Sequence, residues 1–372
     1  MINGNRVRLA RELRGLTQTE LGRRVGLAQP SIAQVEAGLF EPSDRVLKLI
    51  ALQTGFPPAF FRRTEDAEFP MGSLLFRSHV SASARLRTQA YQHARIIYQV
   101  IIGLARRVPL LPIGLPRLSE EPGAAAAIAR SALGFSPETP IKNLIRALER
   151  AGVLVIALPT EIEDGIDAFS AWVGDDTKRP VIGVVPDRPG DRLRLSVAHE
   201  VGHLVLHSTP RPPGKELEAE AFGFGAELLM PEAAMRAELV PPLTLTHLSM
   251  LKARWGVAIA ALIRRARDLA IISPRQYSYL FEQLGAKGWR TREPVPIPVE
   301  KPRALRKMAE LVYGLPIDYR RMANDFDLPV GMVRDILENY ADRGNGLERA
   351  TRGSRPKVLP LRSSEGDRTG RD

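Results

Sequence analysis

The feature that most constrains this chain is the window His199-Glu200-Val201-Gly202-His203-Leu204-Val205-Leu206-His207, which holds three of the six histidines in 372 residues. It contains the string H-E-x-x-H. On a helix, positions i and i+4 share one face, so His199 and His203 aim their rings at a common point. That is the geometry of two imidazoles on one Zn²⁺, with Glu200 beside them as general base. Such a chain has to fold this segment as a helix and bring a third ligand to it from another element.

Composition narrows the donors. The chain has no cysteine, so neither a disulfide nor a thiolate-held zinc is available, and a metal has to be held by histidine and carboxylate. With 372 residues, 44% of them hydrophobic, the chain can bury a large core and is expected to form two or three domains. The sequence shows no apolar N-terminal signal segment and no stretch of membrane-spanning length, so no membrane partner and a cytoplasmic location are expected. A formal net charge of +11 favours a polyanionic partner such as double-stranded DNA. An arginine-rich composition alone gives the same excess, so the charge decides little.

His207 is a poor third ligand. Eight residues of helix put it about 12 Å from His199, too far for both to reach one ion. The next helix, Lys215–Met230, is a better source. Its apolar stripe is Ala221, Phe224, Gly225 and Leu228, with Gly223 and Gly225 allowing close approach to the histidine helix. Glu220 flanks that stripe and is the expected third ligand; Glu218 is the alternative.

Residues 1–62 read as five short helices. Thr17-Gln18-Thr19-Glu20 is a capping box, Gly26 supplies a turn, and the following helix turns Ile32 and Val35 inward and Gln29, Ser31 and Gln34 outward. Amide side chains on a helix of this kind read adenine in the major groove. The string LTQTELGRRVGLAQPSIAQVEAG resembles the XRE family of helix-turn-helix domains. The resemblance implies a DNA-binding set of Gln18, Gln29, Ser31 and Gln34, with Gln18 on a backbone phosphate and Gln29 and Gln34 near bases. Glu36 and Gly38 then end the recognition helix. Pro30 departs from the usual polar residue. The competing reading is a small helical domain for dimerisation or protein binding.

Residues 63–118 are expected to be a linker and a long basic connector helix, from about Ala82 to Arg107, whose arginines form a solvated face. Helices near Ala124–Leu133 and Ile141–Ala151 follow. Strands are expected at Val153–Leu158, Ala168–Val173 and Val181–Val185, with Ala168–Val173 as the sheet edge that could receive a substrate strand. Asp191 is placed to cap the histidine helix.

HEVGHLVLH followed by EAEAFGFGAELLMP resembles the ImmA/IrrE family of zinc metallopeptidases. NLIRALERAGVLVIALP, IDAFSAWV and RPVIGVVP agree as well. The resemblance implies Zn²⁺ held by His199, His203 and Glu220, with Glu200 as catalytic base. Phe222 stands where the family often has Asn, and Gly225 where it often has Ala. His247, Tyr277 and Tyr279 are candidates for holding an oxyanion.

The expected fold is multidomain. An all-α helix-turn-helix domain (1–62) and the connector (63–118) lead into an α+β zincin-like metallopeptidase core (119–235). A helical extension (236–298), a C-terminal helical region (299–344) holding a helix pair from 303 to 342, and a disordered basic tail (345–372) complete it. The expected function is a DNA-binding regulator, with a homodimer on paired half-sites among its expected states, whose zinc endopeptidase cleaves a repressor or antitoxin-like protein. The alternative is a transcription factor whose zincin-like domain senses a metal or ligand.

Overall fold

The computed structural model describes residues 1–64, 83–159, 168–174, 179–185, 188–207 and 214–338. The expected tail and most of the expected linker at residues 63–80 lie outside the described residues. The chain begins with α1 (Gly4–Leu13), α2 (Gln18–Val25), α3 (Gln29–Glu36) and α4 (Asp44–Thr54), then a 3₁₀ turn at Pro58–Arg62. The capping box forms: the Glu20 amide donates to Thr17 Oγ1 at 3.1 Å, and the Thr17 amide donates to the Glu20 carboxylate at 2.7 Å. Gly26 ends α2 in the left-handed region with φ 74°, which a side chain would strain. Leu9, Leu21, Ile32, Leu47 and Phe60 fill the centre of this helical domain.

The connector helix α5 (Ala84–Ala105) buries Ala94, Ile97, Val100, Ile101 and Leu104. Rather than spanning solvent, it packs against α1 on one side and α14 (Ala304–Tyr313) on the other. Its arginines are accommodated because the apolar residues recur at helical spacing and claim one face.

Next come α6 (Pro122–Ala132), α7 (Leu144–Arg150) and a three-stranded sheet of β1 (Leu154–Ala157), β2 (Ala168–Val173) and β3 (Arg179–Val184), in order β1-β3-β2. β1 pairs parallel with β3, in register Leu154 with Val181, and β2 pairs antiparallel with β3, in register Ala168 with Val184. β2 is thus an edge of the described sheet. Strand alternation splits the sheet's side chains between two cores. Ile156, Phe169, Ala171 and Val181 join the core shared with the N-terminal helices and α5. Val155, Ala168, Ile182 and Val184 face the core built on α8 (Gly190–Leu206) and α9 (Lys215–Leu229).

Asp191 does not cap α8, which starts at Gly190 without a side-chain cap. The Asp191 carboxylate is buried and paired with the buried Lys252 ammonium of α11 (Leu245–Trp255). An unpaired lysine there would cost several kcal/mol, so one Asp191 oxygen is committed to the ion pair, while the other accepts from the Arg192 amide at 2.9 Å inside the first turn. After α10 (Glu232–Glu238) and α11 come α12 (Ile259–Asp268) and α13 (Pro274–Ala286). The expected C-terminal helix pair is three helices: α14, α15 (Tyr319–Phe326) and α16 (Val330–Leu337). Gly314 takes φ 85° and Pro316 lacks an amide donor, so the first expected helix breaks there.

Candidate metal centre and nucleic-acid surface

Helix α8 turns its histidines toward α9 because its other faces are claimed by the core. Leu193, Val197, Val201, Leu204 and Val205 are fully or nearly fully buried. α9 lies tightly along α8 where two glycines permit it. A Cβ on Gly225 would stand 2.9 Å from the His199 amide nitrogen, and one on Gly202 would stand 3.0 Å from Ala221 Cα. Gly223, expected to share this role, has only Pro122 nearby, 3.8 Å from where its Cβ would be. The second glycine that permits the close approach is therefore Gly202, inside the H-E-x-x-H string itself, which lies against Ala221.

Close packing brings carboxylates of α9 to the histidines. His199 Nε2 lies 3.0 Å from His203 Nε2 and 3.1 Å from a Glu218 oxygen. The other Glu218 oxygen is 3.5 Å from His203 Nε2. Hydrogen bonds from His199 and then His203 hold the Glu218 carboxyl well below the usual carboxylate range. The expected third ligand, Glu220, does not reach the pair; its carboxylate is 2.8 Å from His207 Nε2. Residues two apart on a helix point about 160° apart, so only one of the two glutamates turns toward the paired rings.

His207 ends α8 and turns its Nδ1 to His203 Nδ1 at 2.8 Å. A chain of contacts thus runs from Glu220 through His207 to the far side of the His203 ring. Glu200 is buried on the same helix. Of the oxyanion candidates, Tyr277 packs on Phe281 and under Arg267, and Tyr279 accepts from Gln283. His247 sits in the first turn of α11. None of those contacts belongs to α8 or α9.

The donor set fits a zinc ion. Nitrogen and oxygen ligands at about 2.0–2.1 Å in a tetrahedron lie about 3.3–3.4 Å from one another. The separations of 3.0, 3.1 and 3.5 Å among His199, His203 and Glu218 are within a few tenths of that. His203 is buried, whereas Glu218 is half exposed, so the site is open on the side of α9's first turn.

At the other end of the chain, Gln29 and Gln34 are exposed on α3 and Ser31 is half-buried. The Gln29 amide donates to Gln18 Oε1 at 2.7 Å, and the Gln18 amide donates to Glu36 at 2.8 Å. Glu36 is buried against Arg11, whose guanidinium donates to it at 2.5 and 3.0 Å. This relay explains Glu36, which sequence reading assigned only to the helix end. It ties the first turns of α2 and α3 to α1 and holds the two glutamines side by side on the surface.

The α2–turn–α3 unit is of the DNA-binding type, and the α8–α9 pair over a small mixed sheet is of the metallopeptidase type. Residues 7–61 match the helix-turn-helix family model, and residues 148–267 match the peptidase family M78 model, described as the IrrE N-terminal-like domain. The chain accordingly joins an XRE-type helix-turn-helix domain to an ImmA/IrrE-like domain of the M78 peptidase family. No curated protein matches it. Among solved structures, Bacillus thuringiensis PlcR in complex with the peptide PapR7 and DNA aligns over 94% of this chain and 99% of that one. Identity is 12% and the TM-score 0.16, a superposition too loose to argue from. Among the described residues no helix is long and apolar enough to cross a membrane.

Proposed function

We propose that this chain is a DNA-binding regulator whose ImmA/IrrE-like domain is a zinc endopeptidase acting on a specific partner protein. The observation that carries the reading is the convergence of His199, His203 and Glu218 from α8 and α9 at metal-ligand spacing. His199, His203 and Glu218 would hold the ion. Zn²⁺, when bound, supplies Lewis acidity that acidifies water and polarises a carbonyl.

Glu200, next to His199 on α8, takes the proton of the attacking water and returns it to the departing amine. His207 and Glu220 act through His203. With His203 Nε2 committed to a metal, its Nδ1 carries the proton and donates to His207 Nδ1. His207 Nε2–H then donates to the Glu220 carboxylate. Each link is 2.8 Å, and the tautomers are consistent along the chain. β2, an edge strand beside α8, is suited to receive an extended substrate segment by strand addition.

The helix-turn-helix unit would place the peptidase at an operator, with Gln18 on a phosphate and Gln29, Ser31 and Gln34 toward base edges. A homodimer on paired half-sites suits this class. The substrate would be a repressor or antitoxin-like protein. Metal analysis of the purified chain tests the core of the reading: about one Zn²⁺ per chain is expected in the wild type and less in His203→Ala. Zinc content unaffected by His203→Ala would refute it.

A further inference from the structure

A cleft of about 710 Å³ opens between α7, the Pro109–Leu111 segment, the starts of β1 and β3, the Ile297–Arg303 segment and α14. Its rim is cationic. α7 contributes Arg146 and Arg150, α14 and the residue before it contribute Lys307 and Arg303, and Lys142 and Lys301 complete the set. Among the described residues none of these six side chains forms a close ion pair, although the charges of Lys307 and Arg303 act on the neighbouring Glu149 carboxylate.

The two carboxylates in the cleft are already committed. Glu300 binds the buried Arg194 and accepts from the Ile145 amide at 2.8 Å. Glu149 accepts from the Arg303 and Ala304 amides at 2.9 and 2.8 Å, closing the start of α14. Arg146 and Arg150 stand four residues apart on α7, a spacing at which like charges repel along a helix. That repulsion, with Arg303 and Lys307 across the cleft, would be relieved by a multiply charged anion.

The cleft is not merely charged. Leu111 and Leu311 line it while 54% and 75% exposed, an apolar surface beside the cations. Inorganic phosphate has no use for that wall, whereas a flat organic ring does. The volume lies in the range of small-ligand sites.

We propose that this cleft binds a nucleoside polyphosphate, its phosphates held by Arg146, Arg150, Arg303 and Lys307 and its base resting on Leu111 and Leu311. The ligand would bridge α7 of the peptidase core to α14, which packs on the connector helix α5. Occupancy would thus link a small-molecule signal to the joint between the two halves of the chain. The cleft shares no residue with the histidine site, so this inference stands or falls separately from the zinc chemistry.

The test is fluorescence anisotropy of mant-ATP and mant-GTP with the full-length chain, competed by unlabelled nucleotide, by inorganic pyrophosphate and by a non-operator DNA duplex. Saturable binding is expected for at least one nucleotide. The same nucleotide unlabelled should displace it at least tenfold better than pyrophosphate does, and Arg146→Glu/Arg303→Glu should weaken it at least tenfold. These side chains are exposed, and a thermal melt checks the fold; the single variants Arg146→Gln and Lys307→Gln repeat the measurement if the double variant melts early. Four results would overturn the inference: no saturable binding at 1 mM, binding unchanged in the variants, displacement by pyrophosphate as effective as by nucleotide, or charge reversals that weaken only the duplex.

Discussion

His203 and His207 meet nitrogen to nitrogen, Nδ1 to Nδ1 at 2.8 Å, one helical turn apart at the end of α8. Two imidazoles can share such a contact only when one carries the proton and the other accepts it. The carboxylate of Glu220 on the opposite nitrogen of His207 decides which, because it accepts and cannot donate when ionised. His207 is therefore the acceptor at Nδ1, and His203 keeps Nε2 available as a ligand. Removing His207 should lower zinc affinity by roughly 10- to 100-fold, the usual effect of losing such an outer partner. Glu220→Gln should act in the same direction and more weakly, while Glu218→Ala should remove stoichiometric zinc at micromolar metal. Competition with a chromogenic chelator reads all three. If Glu220→Gln loses more zinc than Glu218→Ala, the assignment of the third ligand reverses.

Glu200→Gln separates chemistry from binding. The amide keeps the size of the side chain and cannot take a proton. Cleavage of the partner protein should fall by roughly 10²- to 10⁴-fold, with zinc content and DNA affinity within twofold of wild type. A cleavage assay beside metal analysis checks this. Retained cleavage would remove Glu200 from the mechanism, and unaltered regulation in cells carrying Glu200→Gln would leave the non-proteolytic sensor as the better reading.

The parts legible in the sequence were those set by local periodicity. The His199 and His203 pair follows from i,i+4 spacing, the α2 start from the Thr17–Glu20 capping box, and the three strands from their β-rich runs. What was not legible depends on how elements meet. Sequence reading favours Glu220, which flanks the apolar stripe, with Glu218 as the alternative, and only the phase of α9 against α8 brings Glu218 to the paired rings. The role of Gly202 was hidden because the motif leaves that position unspecified, and the Ala221 backbone it lies against belongs to the next helix. Asp191 reads as a cap until Lys252, 61 residues away, claims it. The cationic cleft draws its rim from residues 142–150 and 301–307, which no local window joins.

The glycine contact can be tested directly. A Cβ at Gly225 would sit 2.9 Å from a backbone nitrogen of α8, which cannot swing aside as a side chain could. Gly225→Ala raises helix propensity by up to about 1 kcal/mol but forces the helices apart, and overpacking of this kind costs about 1–3 kcal/mol. The net expectation is a lower denaturation midpoint together with weaker zinc binding, since Glu218 moves away with α9. Gly223→Ala, with nothing closer than 3.8 Å, should keep zinc affinity and hold or raise the midpoint. Chemical denaturation with and without zinc distinguishes the two, and equal behaviour would show that α9 does not position the carboxylate.

His93 supplies a pH prediction away from the metal. It lies on α5, and burial, with a smaller push from the Arg14 guanidinium at the end of α1, lowers its pKa from 6.5 to about 3. The folded protein therefore holds this ring neutral where the unfolded chain would protonate it. The unfolded state binds the extra proton between pH 6.5 and about 3, so stability is complete above pH 6.5 and declines as the pH falls through that window. The slope contributed by one such group is at most about 1.4 kcal/mol per pH unit. Urea midpoints taken from pH 7.5 to 5 should fall more steeply in the wild type than in His93→Gln, which cannot protonate. Parallel curves for the two proteins would mean that His93 does not titrate on unfolding and that the packing of α5 against α1 is looser than described.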